Sequence, residues 1–316
     1  MAFRRFWYFA ATNLLVLAAL MLLGACERQR SAARTDSMTR VATTATDAGT
    51  ARRGKNGWNI AAGPALLVQG PTPDEAVVLF PTPNDSDAVA QLDSASLNDV
   101  PVVLLGRGGR RFSAQLAEPP NDAADDCERW LLRSISGAPE GAAWSVGFVN
   151  GRVAALPLDS VEVLSPRDSA ALVAEASRLA SSVRAATGPS FQGLRFTVHD
   201  IRRFQAGPGV QAMVAHLIRR VNQEANPQEE QTLLIAERDS GVTSGPYQLA
   251  YAERAFGREE RVVAPEVLSA LRIGGSTQPS LVVARDNDDG VVYVLLERTG
   301  PRRWRTAWTS GVTRCG

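Results

Sequence analysis

Histidine, the side chain most often used for proton transfer and zinc binding, occurs only twice in this chain, as His199 and His216. A zinc site needs three or four ligands, and the sequence contains no cluster of histidines and cysteines. His199 precedes Asp200 near the end of an alternating segment, whereas His216 lies within an apolar one. We interpret both as ordinary histidines of a β-sheet, and no metal site is predicted.

Nucleophilic catalysis leaves no recognisable motif in the chain. Serine hydrolases typically show GxSxG or SxxK with histidine support, and neither motif occurs. The 33 acidic residues allow many carboxylate pairs, so a hydrolase that uses two carboxylates stays an alternative. The sequence favours a protein without catalysis, and no catalytic residue is predicted.

Two loop motifs resemble ligand sites but are better explained as turns. The acidic run from Asp286 to Gly290 suggests a calcium loop, but the segment VVYVLLE that follows it is typical of a strand rather than of a flanking helix. Gly106-Arg107-Gly108-Gly109 lacks the helix and the Lys-Ser/Thr pair of a phosphate loop. Both motifs therefore predict turns between strands, and no cofactor is predicted.

Arginine alternates with tryptophan near the C-terminal end of the chain, at Arg302, Arg303, Trp304 and Trp308. Guanidinium and indole groups together can bind polyanions or sugars, which makes these four residues a candidate binding site. An edge strand with its arginines in water and its tryptophans in the core explains the same pattern, and we prefer that interpretation.

The charge balance argues against nucleic acid as a partner. The chain has 34 basic and 33 acidic residues, a formal net charge of +1, whereas nucleic-acid-binding proteins show a basic surplus or stripe. Hydrophobic residues make up 45% of the 316 positions, which is enough for a large core in one large or two ordinary domains.

The pattern of the first half of the chain, from Trp58 onward, predicts an antiparallel β domain. We expect this domain to be a small barrel. Short apolar runs such as VPVVLL are separated by glycine, proline, asparagine and aspartate. Asn150-Gly151 predicts a hairpin turn. The stretch WSVGFVNGRVAALPLDSVEVL resembles bacterial SH3-like modules, in which a tryptophan opens a strand and a hairpin follows; a generic hairpin fits it as well.

The second half predicts one helix and then more strands. DSAALVAEASRLASSVRAA has apolar residues spaced by three and four from Leu172 to Val183, which is helical spacing. Alternating segments follow, and two hairpins share a pattern of Glu-Arg, turn and two aromatics four apart: Glu237-Arg238 with Tyr247 and Tyr251, and Glu297-Arg298 with Trp304 and Trp308. We expect one twisted meander sheet, although propeller blades are an alternative, and a short helix in APEVLSALRIGG.

The N-terminus has the three parts of an export signal. Arg4 and Arg5 form a basic start, an apolar stretch runs through residues 14–23, and Leu23-Gly24-Ala25-Cys26 follows. This ending resembles the lipobox of bacterial lipoproteins, and the resemblance covers residues 1–26 only. It implies cleavage before Cys26 and lipid on its thiol. A plain cleaved signal, or an uncleaved helix of roughly 20 apolar residues, are the alternatives.

The same resemblance bears on location and on the other cysteines. Glu27 is not the aspartate linked to inner-membrane retention, which favours the outer membrane facing the periplasm. If Cys26 carries lipid, Cys127 and Cys315 remain as an even pair in an oxidising compartment, and we expect a disulfide between them. Residues 27 to about 56 have almost no large apolar side chains, which is typical of a flexible tether.

These observations predict a mainly β protein with one central α-helix: an antiparallel β domain, then the helix, then a C-terminal β meander. The expected segments are a signal peptide (1–25), a tether (26–56), an N-terminal β domain (57–165), a linking helix (166–188) and a C-terminal meander domain (189–316). The expected function is that of a non-catalytic binding or structural lipoprotein of the cell envelope. Its expected partners are the membrane, through its lipid, and an envelope protein or the cell wall.

Overall fold

The computed structural model describes residues 53–81, 97–117, 129–137, 143–183, 191, 193–221, 226–241 and 245–314. Cys26, Cys127 and Cys315 lie outside the described residues, as do the lipobox and most of the expected tether, so the lipid and the disulfide stay predictions. Within the described ranges, no helix has the length and apolar character needed to cross a membrane.

The chain is mainly β with a single α-helix in its described part, and its sheets are antiparallel, as predicted. The strands of the first half are β1 (Leu66–Gln69), β2 (Glu75–Leu79), β3 (Pro101–Leu105), β4 (Arg111–Ala117), β5 (Arg129–Ser136), β6 (Val146–Val149), β7 (Val153–Leu156) and β8 (Asp159–Ser160). After helix α1 (Pro166–Ser182) come β9 (Thr197–Gly207), β10 (Val210–Val221), β11 (Gln228–Asp239), β12 (Gln248–Arg258), β13 (Ala264–Ile273), β14 (Pro279–Asn287), β15 (Gly290–Gly300) and β16 (Arg303–Thr313).

The first six strands close into a barrel in the order β1-β2-β5-β4-β3-β6. Alternation along each strand divides its apolar residues between two faces. Leu67 and Leu104 pack inside the barrel with Trp130 and Trp144. Neighbouring residues such as Leu66 point outward and pack on a sheet of the second half. The small barrel expected from the short apolar runs is therefore present.

The C-terminal strands form the predicted β meander, but it is divided between two five-stranded sheets rather than lying in the single sheet that we expected. Sheet I has the order β16-β15-β14-β13-β7, and sheet II has the order β12-β11-β10-β9-β8. The physical reason is that β13 to β15 carry apolar residues on both faces. Val283 packs towards sheet II, whereas Val282 packs towards the barrel. A sheet that is apolar on both faces must be covered on both sides.

The described part of the molecule is consequently a stack of four layers. The barrel packs on sheet I, sheet I packs on sheet II, and α1 covers the outer face of sheet II. Strands β7 and β8 belong to the outer edges of sheets I and II, where β7 pairs with β13 and β8 with β9. Between the barrel and α1, the chain therefore supplies one edge strand to each of the two sheets.

Two local expectations were wrong. Residues 264–273 form strand β13 instead of a helix. A β-bulge between Val267 and Ser269 breaks the alternation of this strand, which gives its apolar residues a helix-like spacing in the sequence.

The Asn150-Gly151 turn does not connect a hairpin, although it is a turn with Gly151 at φ +77. Strand β6 already pairs with β1 and β3, so both its edges are occupied and β7 must pair elsewhere.

Helix α1 begins and packs as its sequence predicts. Ser165 is the N-cap, since its side chain accepts a hydrogen bond from the Asp168 amide, and Pro166 opens the first turn. The helix thus begins two residues before Asp168, the first residue of the segment with helical spacing. The apolar stripe of the helix, which includes Leu172, Ala176 and Leu179, packs on the outer face of sheet II.

The first described residues are held against β16. Arg53 forms an ion pair with buried Glu297, and the Trp58 ring makes an edge contact with Trp308 at 4.8 Å between centroids. Gly57 adopts a φ of +90, and a Cβ atom there would lie 2.1 Å from the carbonyl oxygen of Ala307. Glycine is required at this position both by its backbone conformation and by the lack of space.

Candidate functional site

A cleft of about 890 Å³ opens where the barrel and the ends of the two sheets meet. All three units contribute polar side chains to it. The barrel supplies Arg107 and Arg110, sheet II supplies His199, Asp200, Arg202 and His216, and sheet I supplies Glu266, Asp286 and Tyr293. The site therefore contains cationic, anionic and neutral hydrogen-bonding groups together.

A β-bulge brings the only two histidines of the chain into contact in this cleft. In the pairing of β9 with β10, His216 lies opposite Asp200 and the next pair is Leu217 with Val198, which leaves His199 as the extra residue. Bulges re-aim side chains and are common beside functional sites. The His199 and His216 rings meet edge to face, with their centroids 4.9 Å apart.

The hydrogen bonds of His216 fix its tautomer. Gln231 donates its amide NH₂ to Glu229 Oε2 at 2.9 Å, so its Oε1 faces His216 and accepts a hydrogen bond from Nε2. Burial lowers the pKa of His216, and the nearby His199 acts in the same direction; the Gln231 bond and the charges of Asp200 and Glu229 oppose them. The imidazole is therefore neutral at pH 7, with its Nε2 proton already committed.

The charged groups of the cleft divide into paired and unpaired ones. Arg202 Nε donates to both carboxylate oxygens of Asp200, at 3.0 and 3.2 Å, and Arg107 of the barrel forms an ion pair with Glu266 of sheet I. Among the described residues, Arg110 and the exposed Asp286 form no ion pair. The Arg107 pair crosses from one layer to the next, at the margin of the cleft.

One tyrosine connects the cleft to the core. Tyr293 is largely buried, and burial raises the pKa of its phenol, as does the negative charge of Asp286. Tyr293 lies opposite Ala284 in the β14–β15 pairing, two residues along from Asp286. Diagonal neighbours of this kind share one face of a sheet, so the phenol and the carboxylate face the same space.

The polar side chains of the cleft offer both hydrogen-bond donors and acceptors. No group of three or more His, Cys, Asp or Glu side chains in the described ranges could hold a metal ion. Arginine and histidine N–H groups, the three exposed carboxylates of Glu162, Glu266 and Asp286, and a phenol can each form hydrogen bonds to a polar ligand. The chemistry available is therefore the recognition of a small polar molecule that carries both donors and acceptors.

The four residues predicted at the C-terminal end do not form one exposed surface. Trp304 is buried and donates its Nε1–H to Glu237 Oε1 at 2.7 Å. Trp308 is 4% exposed and contacts Trp58. Arg302 and Arg303 are exposed. The indoles thus occupy the core positions of the alternative interpretation, and ligand binding at these four residues stays a prediction.

The two loop motifs are turns, as the sequence indicates, but one of them also contributes to the cleft. Arg107–Gly109 forms a 3-10 turn between β3 and β4 and brings Arg107 to Glu266. The segment after Asp286 connects β14 with β15. The sequence did not identify His199, His216 or Arg107 as site residues. An interruption of the alternation around His199 was the one available signal.

The chain matches no protein-family model, no curated protein and no solved structure. The function therefore has to be inferred from the geometry and chemistry of the cleft.

Proposed function

We propose that this chain is a lipid-anchored cell-envelope protein that binds a small polar ligand in the cleft between the barrel and the two sheets. The observation that carries the proposal is the contact of His199 with His216 at a β-bulge in the cleft wall. A bulge inside a long strand disrupts the hydrogen-bond ladder. Its presence in the wall of this cleft of about 890 Å³ is best explained by a requirement for these two side chains there.

Binding is favoured over catalysis because the polar groups are held in fixed roles. The Nε2 proton of His216 is donated to Gln231, and the Asp200 carboxylate is bound by Arg202. Such groups are pre-organised to recognise a ligand, which lowers the entropy lost on binding. A general base needs a free nitrogen or oxygen within reach of a substrate proton, and in the cleft the unpaired carboxylates of Glu162 and Asp286 are the groups that would carry the second candidate function below.

Ligand occupancy of the cleft can be tested by native mass spectrometry of the lipoprotein purified in detergent. Ala143 is an exposed residue of the cleft wall, so Ala143→Trp should fill the cavity without disturbing the core. The matched control is Ala174→Trp, on the exposed face of α1. We expect a small molecule to co-purify with the wild type and with the control, but not with Ala143→Trp. Equal ligand content in all three proteins would contradict the proposal.

The lipid anchor needs a separate test. Cys26→Ser removes the thiol to which the lipid would be attached, so labelled fatty acid should no longer be incorporated and the protein should leave the membrane fraction. An uncleaved helix predicts unchanged membrane retention in this variant. A plain cleaved signal predicts that even the wild type incorporates no fatty acid.

A hydrolase that uses two carboxylates is the second candidate function. Glu162 and Asp286 both line the cleft, and neither forms an ion pair within the described ranges. A pair of carboxylates can hydrolyse a glycosidic bond when one acts as the acid. Wild-type hydrolysis of purified peptidoglycan that is abolished by Glu162→Gln or by Asp286→Asn would favour this function over simple binding. No hydrolysis by the wild type would remove it.

A further inference from the structure

A second cavity, which we call the helix-side pocket, lies on the opposite face of sheet II from the cleft. It has a volume of about 310 Å³ and lies between α1 and the ends of the strands, with Arg203 on β9, Arg238 on β11 and Tyr247 just before β12. Arg202 and Arg203 are neighbours in sequence and therefore point to opposite faces of the sheet. The pocket and the cleft are thus separate sites.

Hydrogen-bond donors exceed acceptors in the helix-side pocket. Arg238 donates from both Nε and NH2 to Gln211 Oε1, at 3.0 and 2.6 Å. The hydroxyl of Tyr247 donates to the same oxygen at 2.9 Å, and the Arg238 guanidinium also lies over the Tyr247 ring, 4.5 Å from its centroid. An amide oxygen has two lone pairs, so three donors share an acceptor that can fully satisfy only two.

Arg203 has an even less complete environment. Its Nε atom is buried and has no hydrogen-bond partner among the described residues. In that part of the chain neither Arg203 nor Arg238 forms an ion pair with a carboxylate. A guanidinium that is partly desolvated without an anion is costly. Two of them beside one small cavity indicate that the missing partner is an anion that enters the pocket.

The two carboxylates of the pocket do not supply that partner. Glu175 accepts two hydrogen bonds from Arg178, both at 2.8 Å. These bonds hold the pKa of Glu175 below its ordinary value, against the effect of burial. Asp168 accepts a hydrogen bond from the Ser165 hydroxyl at 2.8 Å in the helix cap. Both carboxylates are therefore hydrogen-bonded on the helix side. Neither forms an ion pair with Arg203 or Arg238, although the charge of Arg238 contributes to the lowered pKa of Glu175.

We propose that the helix-side pocket binds a small oxyanion, a phosphate or carboxylate group, between Arg203 and Arg238. The Tyr247 hydroxyl, which shares its acceptor with Arg238, is the third donor for this anion. Guanidinium groups bind such oxyanions through paired N–H donors. The cavity accommodates a group of this size together with a small organic portion.

The test measures the thermal unfolding and calorimetric titration of the full chain in detergent, with inorganic phosphate and, separately, acetate added at constant ionic strength with chloride. Binding of phosphate but not acetate assigns the site to phosphoryl ligands, and the reverse assigns it to carboxylates; either result supports the proposal. A wild type that binds neither anion at millimolar concentrations overturns it.

Arg203→Met provides the decisive variant, because Arg203 forms no hydrogen bond within the described ranges that the substitution could break. We expect its midpoint without anion to equal or exceed that of the wild type, and its anion affinity to fall by at least about tenfold, the effect of one charged hydrogen bond. Arg305→Met, an exposed arginine on β16, removes the same charge and should leave the affinity unchanged. Equal affinity in Arg203→Met, or an equal loss in Arg305→Met, would show that the anion does not bind in this pocket.

Discussion

Glu237 of sheet II and Arg298 of sheet I form a buried bidentate ion pair that joins the two sheets. Arg298 donates from Nε and NH2 to the two carboxylate oxygens, each at 2.8 Å, and the side chains are 6% and 2% exposed. Trp304 Nε1 and the Arg302 amide also donate to Glu237. The two oxygens of Glu237 thus accept four hydrogen bonds, which matches the acceptor capacity of a carboxylate.

Removing one partner of this pair should be strongly destabilising. Glu237→Ala leaves the Arg298 charge and the Trp304 N–H buried without an acceptor, so we expect the free energy of unfolding in urea to fall by about 3–5 kcal/mol. Arg261→Ala is the control, because its pair with Asp288 is exposed on both sides; it should cost less than about 1 kcal/mol. Similar losses in the two variants would contradict this account.

The stabilisation that Glu237 contributes through this pair should be lost in acid. Burial alone would raise the pKa of Glu237, but the hydrogen bonds from Arg298, Arg302 and Trp304 bring it below its ordinary value of 4.5. The contribution of the carboxylate is therefore complete above pH 4.5 and is lost as the pH falls through the lowered pKa. The stability difference between wild type and Glu237→Ala should shrink in that range, as followed by urea titration at several pH values.

His216 should make the protein less stable in mild acid. Its pKa is lower in the folded protein than the ordinary 6.5, so the unfolded chain takes up a proton first as the pH falls below 6.5. The free energy of unfolding should then decrease, by at most about 1.4 kcal/mol per pH unit from this group. His216→Gln should reduce the slope between pH 6.5 and 5, and His199→Gln should retain most of it. Identical slopes in the wild type and His216→Gln would show that His216 is not the cause.

Gly57→Ala should destabilise the contact of the first described segment with β16. The added Cβ would meet the Ala307 carbonyl oxygen at 2.1 Å, and the residue would also have to adopt a φ of +90. We expect a loss of at least about 2 kcal/mol. Gly151→Ala is the matched control, since Gly151 has a φ of +77 but open space around it; it should lose only about 1 kcal/mol from backbone strain. Equal losses would mean that the close approach to Ala307 is relieved without cost.

The expected disulfide can be checked by non-reducing peptide mapping of the mature protein. Cys127 and Cys315 should appear in one linked pair of peptides. Such a long loop contributes up to about 5 kcal/mol in the chain-entropy model, so reduction should lower the unfolding midpoint. Two free thiols in protein isolated without reductant would contradict the pairing.

The sequence predicts the individual elements better than their assembly. Strand β10 (Val210–Val221) contains six consecutive buried residues, and α1 carries an apolar stripe with a cap residue before it. The sequence signals for both elements are local. Whether β13 joins the same sheet as β12 depends on packing between distant residues. The bulge at Val267–Ser269 even reversed the prediction for β13, because it changed the local periodicity.

The cleft could not be predicted for the same reason. His199 and His216 are brought together by the register of β9 with β10 and by a bulge within it, neither of which composition or spacing reveals. The sequence shows the Glu-Arg repeat of the two hairpins, but it does not show which partners these side chains bind. Glu237 binds Arg298 of the other hairpin, whereas its sequence neighbour Arg238 turns to the helix-side pocket.

The contact of residues 53–59 with sheet I determines where mechanical load enters the molecule. A pull on the chain ahead of Arg53 is transmitted to β15 through Glu297 and to β16 through Trp58 and Trp308. Both strands are long and pair with each other over most of their length, so part of the tension is taken up by sheet I. The same segment also contacts the barrel, because Asn56 Nδ2 donates to the carbonyl oxygen of Pro81 after β2. A load on the proposed tether would therefore be divided between sheet I and the barrel.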